Sequence, residues 1–353
     1  MPGRQRPTSG RWAAAVGLWV GLAPPSLTAA EEPLFPQEAW MTPATTAAID
    51  RGLAFLQQRQ RADGSWADKG SGRNVAVCSL AAFAFLASGS TPGRGPHGTA
   101  VQRAVDYVAS CADPQTGIVV SDDTLGRGPM YGHGFAALLL CEVSGMSRTP
   151  QLRARTGAAT EAILRAQNDA GGWRYTPEPR GADLSVTACQ VMALRAARNA
   201  GIAVPKEAID RATAYLRGCQ NADGGFRYMI DQGDPRSSFA RSAAALAALY
   251  AAGIHEGPEI EAAASYVAGF VPGRPGAEPT PYYYYGHYYA IQAMWFLGGE
   301  HWSRWYPAIR DELLARQLQD GSWSDPMVGK EYATAIACIV LQTPNNYLPL
   351  LQR

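Results

Sequence analysis

Tyr131-Gly132-His133 recurs as Tyr285-Gly286-His287. In a chain with five histidines, two at matching positions mark a place where acid, base or hydrogen-bond chemistry could occur. Tyr282, Tyr283, Tyr284, Tyr288 and Tyr289 crowd the second copy. A carboxylate stands ahead of an apolar segment in Asp183-Leu184-Ser185-Val186-Thr187. Asp183 reads either as an N-cap, which alone explains an Asp there, or as a buried acid with a raised pKa that protonates a substrate or holds a cation. The histidines also read two ways: as ligand-facing groups, or as an inherited feature in which each ring caps its own helix turn.

The elements that must position these residues are set by a repeat. Gln-x-x-x-Gly-Gly/Ser-Trp/Phe occurs at Gln60 to Trp66, Gln167 to Trp173, Gln220 to Phe226 and Gln317 to Trp323. The spacings are close to two, one and two copies of a unit of about fifty residues. Degenerate copies fill the gaps. In one, Tyr107 and Cys111 stand as Tyr215 and Cys219 do, with Gly117-Ile118 where Gly-aromatic is expected. In the other, Tyr266 and Phe270 precede Pro272-Gly273-Arg274-Pro275-Gly276.

Each of the six units reads as two helices. The first is amphipathic, with Ile49, Leu53 and Leu56, or Val101, Val105 and Val108, on one face. The second is apolar nearly all round, as in Val75 to Leu86, Val186 to Leu194 and Ala333 to Leu341, and must be covered on every side. Six dry helices inside six wet ones predict an all-α (α/α)6 toroid, because a linear solenoid would need polar caps that neither end shows. In the motif, Gly supplies a turn with positive φ. The aromatic is expected to cover neighbouring outer-helix surface, and the Gln to hydrogen-bond loop backbone.

The repeat resembles the QW motif of squalene and oxidosqualene cyclases, shared in weaker form by protein prenyltransferase β subunits. The resemblance covers roughly residues 45 to 345 and implies the toroid fold. It carries less about chemistry. Class II cyclases protonate their substrate with Asp-x-Asp-Asp; the closest string here, Val120-Ser121-Asp122-Asp123-Thr124, has Val in place of the first Asp. Prenyltransferases hold zinc through Asp-x-Cys and a His, but this chain has no Asp-x-Cys and offers Lys330-Glu331-Tyr332 where the His should be. The magnesium motif Asp-Asp-x-x-Asp and the thioester string Cys-Gly-Glu-Gln are also missing. Full triterpene cyclases are similar to two fused toroids, and this chain supplies one. No metal or other cofactor is expected.

Arg4, Arg6 and Arg11 precede an apolar run from Trp12 to Leu22, and Thr28-Ala29-Ala30 follows. That pattern predicts a signal peptide over 1–30, cleaved after Ala30, and an exported protein with no integral membrane span. A linker over 31–44 leads into a single toroid over 45–353. Net charge is +1 with acids and bases interspersed, which argues against nucleic acid as a partner. No Cys-x-x-Cys occurs among the six cysteines.

Alignment of the inner helices puts Asn74, Tyr131, Asp183, Ser238, Tyr285 and Lys330 at one level, with His133, Ser185, Ala240, His287 and Tyr332 two residues further on. Units two and five lie opposite each other in a six-unit ring, so both histidines are expected to face one mouth of the cavity. The expected function is binding, by Tyr131, His133, Tyr282, Tyr285, His287 and Tyr332, of a hydrophobic, isoprenoid-type molecule or a partner protein segment. The sequence names no partner subunit. The alternatives are an acid-initiated terpenoid cyclase or isomerase using Asp183, and a carbohydrate-active enzyme. The latter needs a second carboxylate from Asp122, Asp123 or Asp234.

Overall fold

The computed structural model describes residues 37–67, 69, 72–121, 128–147, 150–273 and 281–351. The expected signal peptide, Asp122, Asp123 and residues 274–276 of the degenerate fifth loop lie outside them. A short α1 (Gln37–Trp40) leads into six outer helices, α2 (Pro43–Arg59), α4 (Gly98–Ser110), α6 (Pro150–Ala166), α8 (Lys206–Gly218), α10 (Pro258–Ala268) and α12 (Gly299–Arg316). They alternate with six inner helices, α3 (Val75–Leu86), α5 (Met130–Ser144), α7 (Leu184–Asn199), α9 (Phe239–Ala251), α11 (Tyr283–Leu297) and α13 (Lys330–Gln342). Each inner helix packs on the next and α13 returns to α3, so the inner ring closes, and α12 meets α2 across the seam. Among the described residues no helix is long and apolar enough to cross a membrane.

The apolar helices form the inner ring because only there is every face covered; every residue of α3 except Ala76 is buried. Alanines such as Ala243, Ala244 and Ala247 on α9 are sealed from solvent and let neighbouring helix axes come close. The outer helices bury one stripe and keep their charges in water.

The repeat motif joins consecutive units. Gly64, Gly171, Gly224 and Gly321 all adopt φ between 82° and 91°, and a Cβ on Gly171 would lie 2.3 Å from the Arg211 carbonyl oxygen. Each motif Gln donates from Nε2 to its own loop and to the first turns of the next outer helix. Gln167 reaches the carbonyls of Gly171 and Ala208, both at 2.8 Å. Gln317 reaches Gly321 at 2.9 Å and, across the seam of the ring, Ala48 at 2.8 Å. The closure expected from the lack of caps is therefore made partly by the motif itself.

The aromatics do something other than cover surface. Trp66, Trp173, Phe226 and Trp323 are wholly buried between the rings. Each Trp donates Nε1–H to an outer-helix carbonyl, at 2.8 Å to Leu56, 2.7 Å to Ile163 and 2.8 Å to Leu313. The backbone N–H of each aromatic goes to an inner-helix side chain: Cys78 Sγ (3.2 Å), Thr187 Oγ1 (3.1 Å), Ser242 Oγ (2.8 Å) and Thr334 Oγ1 (3.0 Å). These four acceptors give a register for the inner helices that needs no helix boundary.

Unit two keeps this plan without the motif. Gly117 adopts φ 75° against the Ala158 carbonyl, and Val119, two residues on, takes the place of the Trp. Ile118 thus stands at the middle position, one short of the aromatic's. The six cysteines are all free thiols.

Candidate functional site at the amino-terminal mouth

In unit two the N–H of Val119 goes to His133 Nδ1 at 3.0 Å. His133 is therefore the counterpart of Cys78, Thr187, Ser242 and Thr334. This corrects the expected alignment by two residues: Tyr131 matches Ser185, and with them Ala76, Ala240, Tyr285 and Tyr332 make one level. The expected alignment counted from the apparent starts of the helices. Those starts differ, because α7 begins after an Asp cap whereas α5 begins after Pro129 and α11 after Tyr282, neither of which makes a side-chain cap.

The corrected register separates the members of Tyr-Gly-His. Gly132 and Gly286 face neighbouring inner helices, where a Cβ would lie 2.8 Å from Val75 Cγ2 and 2.7 Å from Phe239 Cε1. The histidines face outward and do not meet at the mouth. His133 is fully buried, and its Nε2–H donates to the Ala159 carbonyl of α6 at 3.1 Å. With Nδ1 accepting from Val119, both ring nitrogens are committed and the tautomer is fixed. Burial lowers its pKa to about 4, so it is a neutral bridge between rings. His287 packs among Phe239 (5.0 Å), Tyr283 (4.4 Å) and Trp305 (6.0 Å). Burial, then the nearby Arg316 charge, lowers its pKa to about 3. Among the described residues its Nδ1 has no hydrogen-bond partner.

The tyrosines of the repeat do converge. Tyr131 and Tyr285, from opposite units, influence each other's ionisation, and the Ser185 hydroxyl favours the phenolate of both. Behind them Phe135 and Tyr288 touch across the axis at 5.7 Å, and Tyr288 packs on Tyr289 at 4.9 Å. Aromatic rings thus fill the axis, and half-buried Tyr131, Tyr285 and Tyr332 form a floor just below the mouth. Ser185 and Tyr131 are neighbours of the Tyr285 hydroxyl, but among the described residues none stands within 3.5 Å of it. Burial pushes all three phenols up, so they remain neutral donors. Tyr282 is not part of this floor: it precedes α11 in a left-handed conformation, φ 58°, and is 62% exposed.

Asp183 caps α7. Its Oδ1 accepts from the Val186 N–H at 2.9 Å, and its backbone N–H donates to the Trp173 carbonyl at 2.9 Å. The side chain is 0% exposed, yet among the described residues Oδ2 has no partner at hydrogen-bond distance; Arg174 Nη1 is 3.8 Å away, and the neighbouring Tyr228 hydroxyl also favours the charged form. Burial raises the pKa to about 6, against the Val186 bond and the Arg174 charge. The capping role and the buried-acid role are therefore both present, one on each oxygen.

Three residues of this mouth escaped the sequence reading: Arg174, Tyr175 and Tyr228. They follow the repeat aromatics as Trp173-Arg174-Tyr175 and Phe226-Arg227-Tyr228, and that duplication was the available signal. The Tyr175 carbonyl accepts from Met130 N–H at 3.0 Å and the Tyr228 carbonyl from Leu184 N–H at 2.9 Å. Each loop thereby satisfies an open helix start in the preceding unit. The two hydroxyls bond each other, and the Arg174 guanidinium lies 5.1 Å and 5.8 Å from the two ring centroids. Tyr175 also meets Tyr131 at 6.1 Å.

The other charged residues singled out are used elsewhere. Asp234 is on the surface beside Arg236, at 2.9 Å. Lys330 pairs with Asp320 at 2.6 Å, and Glu331 with Arg59 at 2.9 Å.

A family model for the prenyltransferase alpha-alpha toroid domain matches residues 42–154 and 147–271. The chain belongs to this family. No curated protein matches the sequence. Among solved structures, a protein from Actinoplanes is 20% identical, with TM-score 0.61 over 86% of this chain and 99% of that one. The type II terpene cyclase MstE from Scytonema, in complex with geranylgeranyl dihydroxybenzoate, is 17% identical, with TM-score 0.61 over 87% and 98%. The α-1,6-mannanase GH76A of Salegentibacter sp. HEL1_6, in complex with α-1,6-mannotriose, is 7% identical, with TM-score 0.65 over 86% and 99%. At these identities the likeness is one of fold. The toroid fold is thus shared by a terpene cyclase and a mannanase.

What this toroid's mouth can do follows from its groups: a flat aromatic floor, a cation held over two tyrosine faces, and one carboxylate oxygen with spare capacity. The floor suits apolar or aromatic surface, and the carboxylate exchanges a proton close to neutral pH.

Proposed function

We propose that this is an exported binding protein that seats a hydrophobic, isoprenoid-type molecule, or an apolar segment of a partner protein, on the tyrosine floor of the amino-terminal mouth. The convergence of Tyr131 and Tyr285 with the Arg174-Tyr175-Tyr228 rim carries this reading. The commitment of His133 to backbone and the outward packing of His287 support binding over acid-base chemistry. The ligand lies on the floor and not within the ring, because Phe135, Tyr288 and Tyr289 occupy the axis. Titration with geranylgeraniol, followed by tyrosine fluorescence, tests it. Saturable binding weakened about tenfold or more by Tyr131→Ala or Tyr285→Ala is expected, and no saturable binding refutes the reading.

One observation favours a second reading, acid-initiated cyclisation or isomerisation: the buried Oδ2 of Asp183 without a partner. The length of a single toroid does not oppose it, since MstE matches over 98% of its own chain. Cyclised product from geranylgeranyl substrates that disappears in Asp183→Asn would replace the binding reading with this one. Export is tested by fractionating the native host and sequencing the mature N-terminus, where Glu31 is expected first.

A further inference from the structure

The mouth holds a guanidinium that is anchored on one side and open on the other. Arg174 lies against the rings of Tyr175 and Tyr228, 5.1 Å and 5.8 Å from their centroids. Among the described residues its polar contacts run through Nη1, to Met229 Sδ at 3.2 Å and to Asp183 Oδ2 at 3.8 Å. Nε and Nη2 make no hydrogen bond among those residues, and the side chain keeps 31% of its surface open.

The equivalent residue of the next unit is held differently. Arg227 follows Phe226 as Arg174 follows Trp173. Its Nε is shut off from solvent, and its Nη1 donates to the Ile230 carbonyl at 3.3 Å. Of this repeated pair, only Arg174 presents an open Nε–Nη2 edge. Tyr175, on which Arg174 lies, meets Tyr131 of the floor at 6.1 Å, so one elongated molecule spans both.

We propose that the molecule seated on the tyrosine floor is an isoprenoid-type carboxylic acid, its carboxylate held by the Nε–Nη2 edge of Arg174. The proposal rests on the floor-binding reading above and adds the chemistry of the head.

The Nε–H and Nη2–H bonds leave a planar group in parallel and match the two oxygens of a carboxylate. Packing on two tyrosine rings and the Met229 contact set the plane of the guanidinium beforehand, so little freedom is lost on binding. Asp183 stands on the Nη1 side and, when ionised, offsets part of the positive charge. A head with one negative charge therefore suits the site better than a diphosphate with several. A cationic head would meet the like charge of Arg174, and an ester or alcohol brings no charge to the fork.

Equilibrium dialysis of the purified protein at pH 8 tests the assignment, with geranylgeranoic acid, its methyl ester, geranylgeraniol, geranylgeranyl diphosphate and geranylgeranylamine as probes. The chain is constant and the head varies. The acid is expected to bind about tenfold or more tightly than the ester or the alcohol, and ahead of the diphosphate and the amine. Arg174→Leu should bring the acid-to-ester ratio to about one. Arg174→Lys, which keeps the charge but not the fork, should leave it at about three. The ratio is read within each protein, so a general weakening of the floor does not imitate the result, and the wild-type ranking needs no variant. Equal binding of acid and ester, tightest binding of the diphosphate or the amine, or a ratio that survives Arg174→Leu overturns the proposal and leaves the floor reading standing. No saturable binding of any probe refutes the floor reading and the proposal with it.

Discussion

Asp183 and Glu142 are buried carboxylates at opposite ends of one helical ring, and they are held differently. Asp183 precedes the first turn of α7, where helix N–H groups and the positive end of the helix dipole favour its charge; one oxygen is bonded and Arg174 is near. Glu142 stands in the last turn of α5, where the helix presents carbonyls and the dipole opposes a negative charge; among the described residues both its oxygens lack hydrogen-bond partners. Burial raises both pKa values, to about 6 and about 8 respectively. Asp183 recovers part of the desolvation cost through its bond to Val186 and the Arg174 charge, whereas Glu142 has only the attraction of Arg195 to set against it.

The largest test of that contrast is Glu142→Gln. A carboxyl whose folded pKa lies above its unfolded value binds more protons when folded, so its contribution is lost as pH rises from about 4.5 toward 8. The variant should be more stable than wild type at pH 9, by on the order of 4 kcal/mol, and equal to it near pH 4. Urea unfolding at the two pH values measures this. A wild-type stability that is flat over that range would show that Glu142 finds a partner in solution.

His133 tests whether polar groups at the amino-terminal end are satisfied. His133→Phe leaves the Val119 N–H unpaired in the interior and removes the second bond to the Ala159 carbonyl, whose place in α6 keeps its helical bond, and should cost about 2 to 3 kcal/mol. Because the His133 pKa is lowered on folding, wild type should lose stability as pH falls from 6.5 to about 4. The variant should lose less over that range, as read by thermal unfolding across it.

Asp183→Asn is the counterpart of the Glu142 experiment. Asn retains the cap and removes the buried charge, so a gain of about 2 kcal/mol at pH 8 is expected, fading below pH 4. A gain as large as that from Glu142→Gln would mean that the helix start does not discriminate between the two acids. Gln317→Ala, which removes the bonds to Gly321 and Ala48 at the seam, should cost about 1 to 2 kcal/mol in urea unfolding at any pH.

Much of the scaffold is legible in the residues. The Gly turns at positive φ, the Gln bonds to loop backbone and the alternation of wet and dry helices are local or periodic properties. Unit two could be recognised from Gly117 although its Gln and Trp are missing. The site was legible only in part. Tyr131, Asp183, Tyr285 and Tyr332 do gather at one end, but counting from helix starts shifted the register by two. That shift turned His133 and His287 toward a mouth they do not face. Helix starts vary with capping residues such as Pro129 and Tyr282, whereas the register is fixed by which side chain accepts the N–H of the residue after the Gly turn. That partner lies on another element and has no signature in the local sequence.

By itself the sequence determined that six helix pairs must bury six apolar helices and close on themselves, because period, turn chemistry and apolar faces are written in neighbouring residues. Only the tertiary structure decided that the lumen is filled by rings from opposite units. It also decided that Arg174, Tyr175 and Tyr228 complete one mouth, and that Glu142 is sealed without partners at the other. Each of those depends on what packs against a side chain from units far away in the chain, and burial by distant residues sets hydrogen bonding and proton affinity.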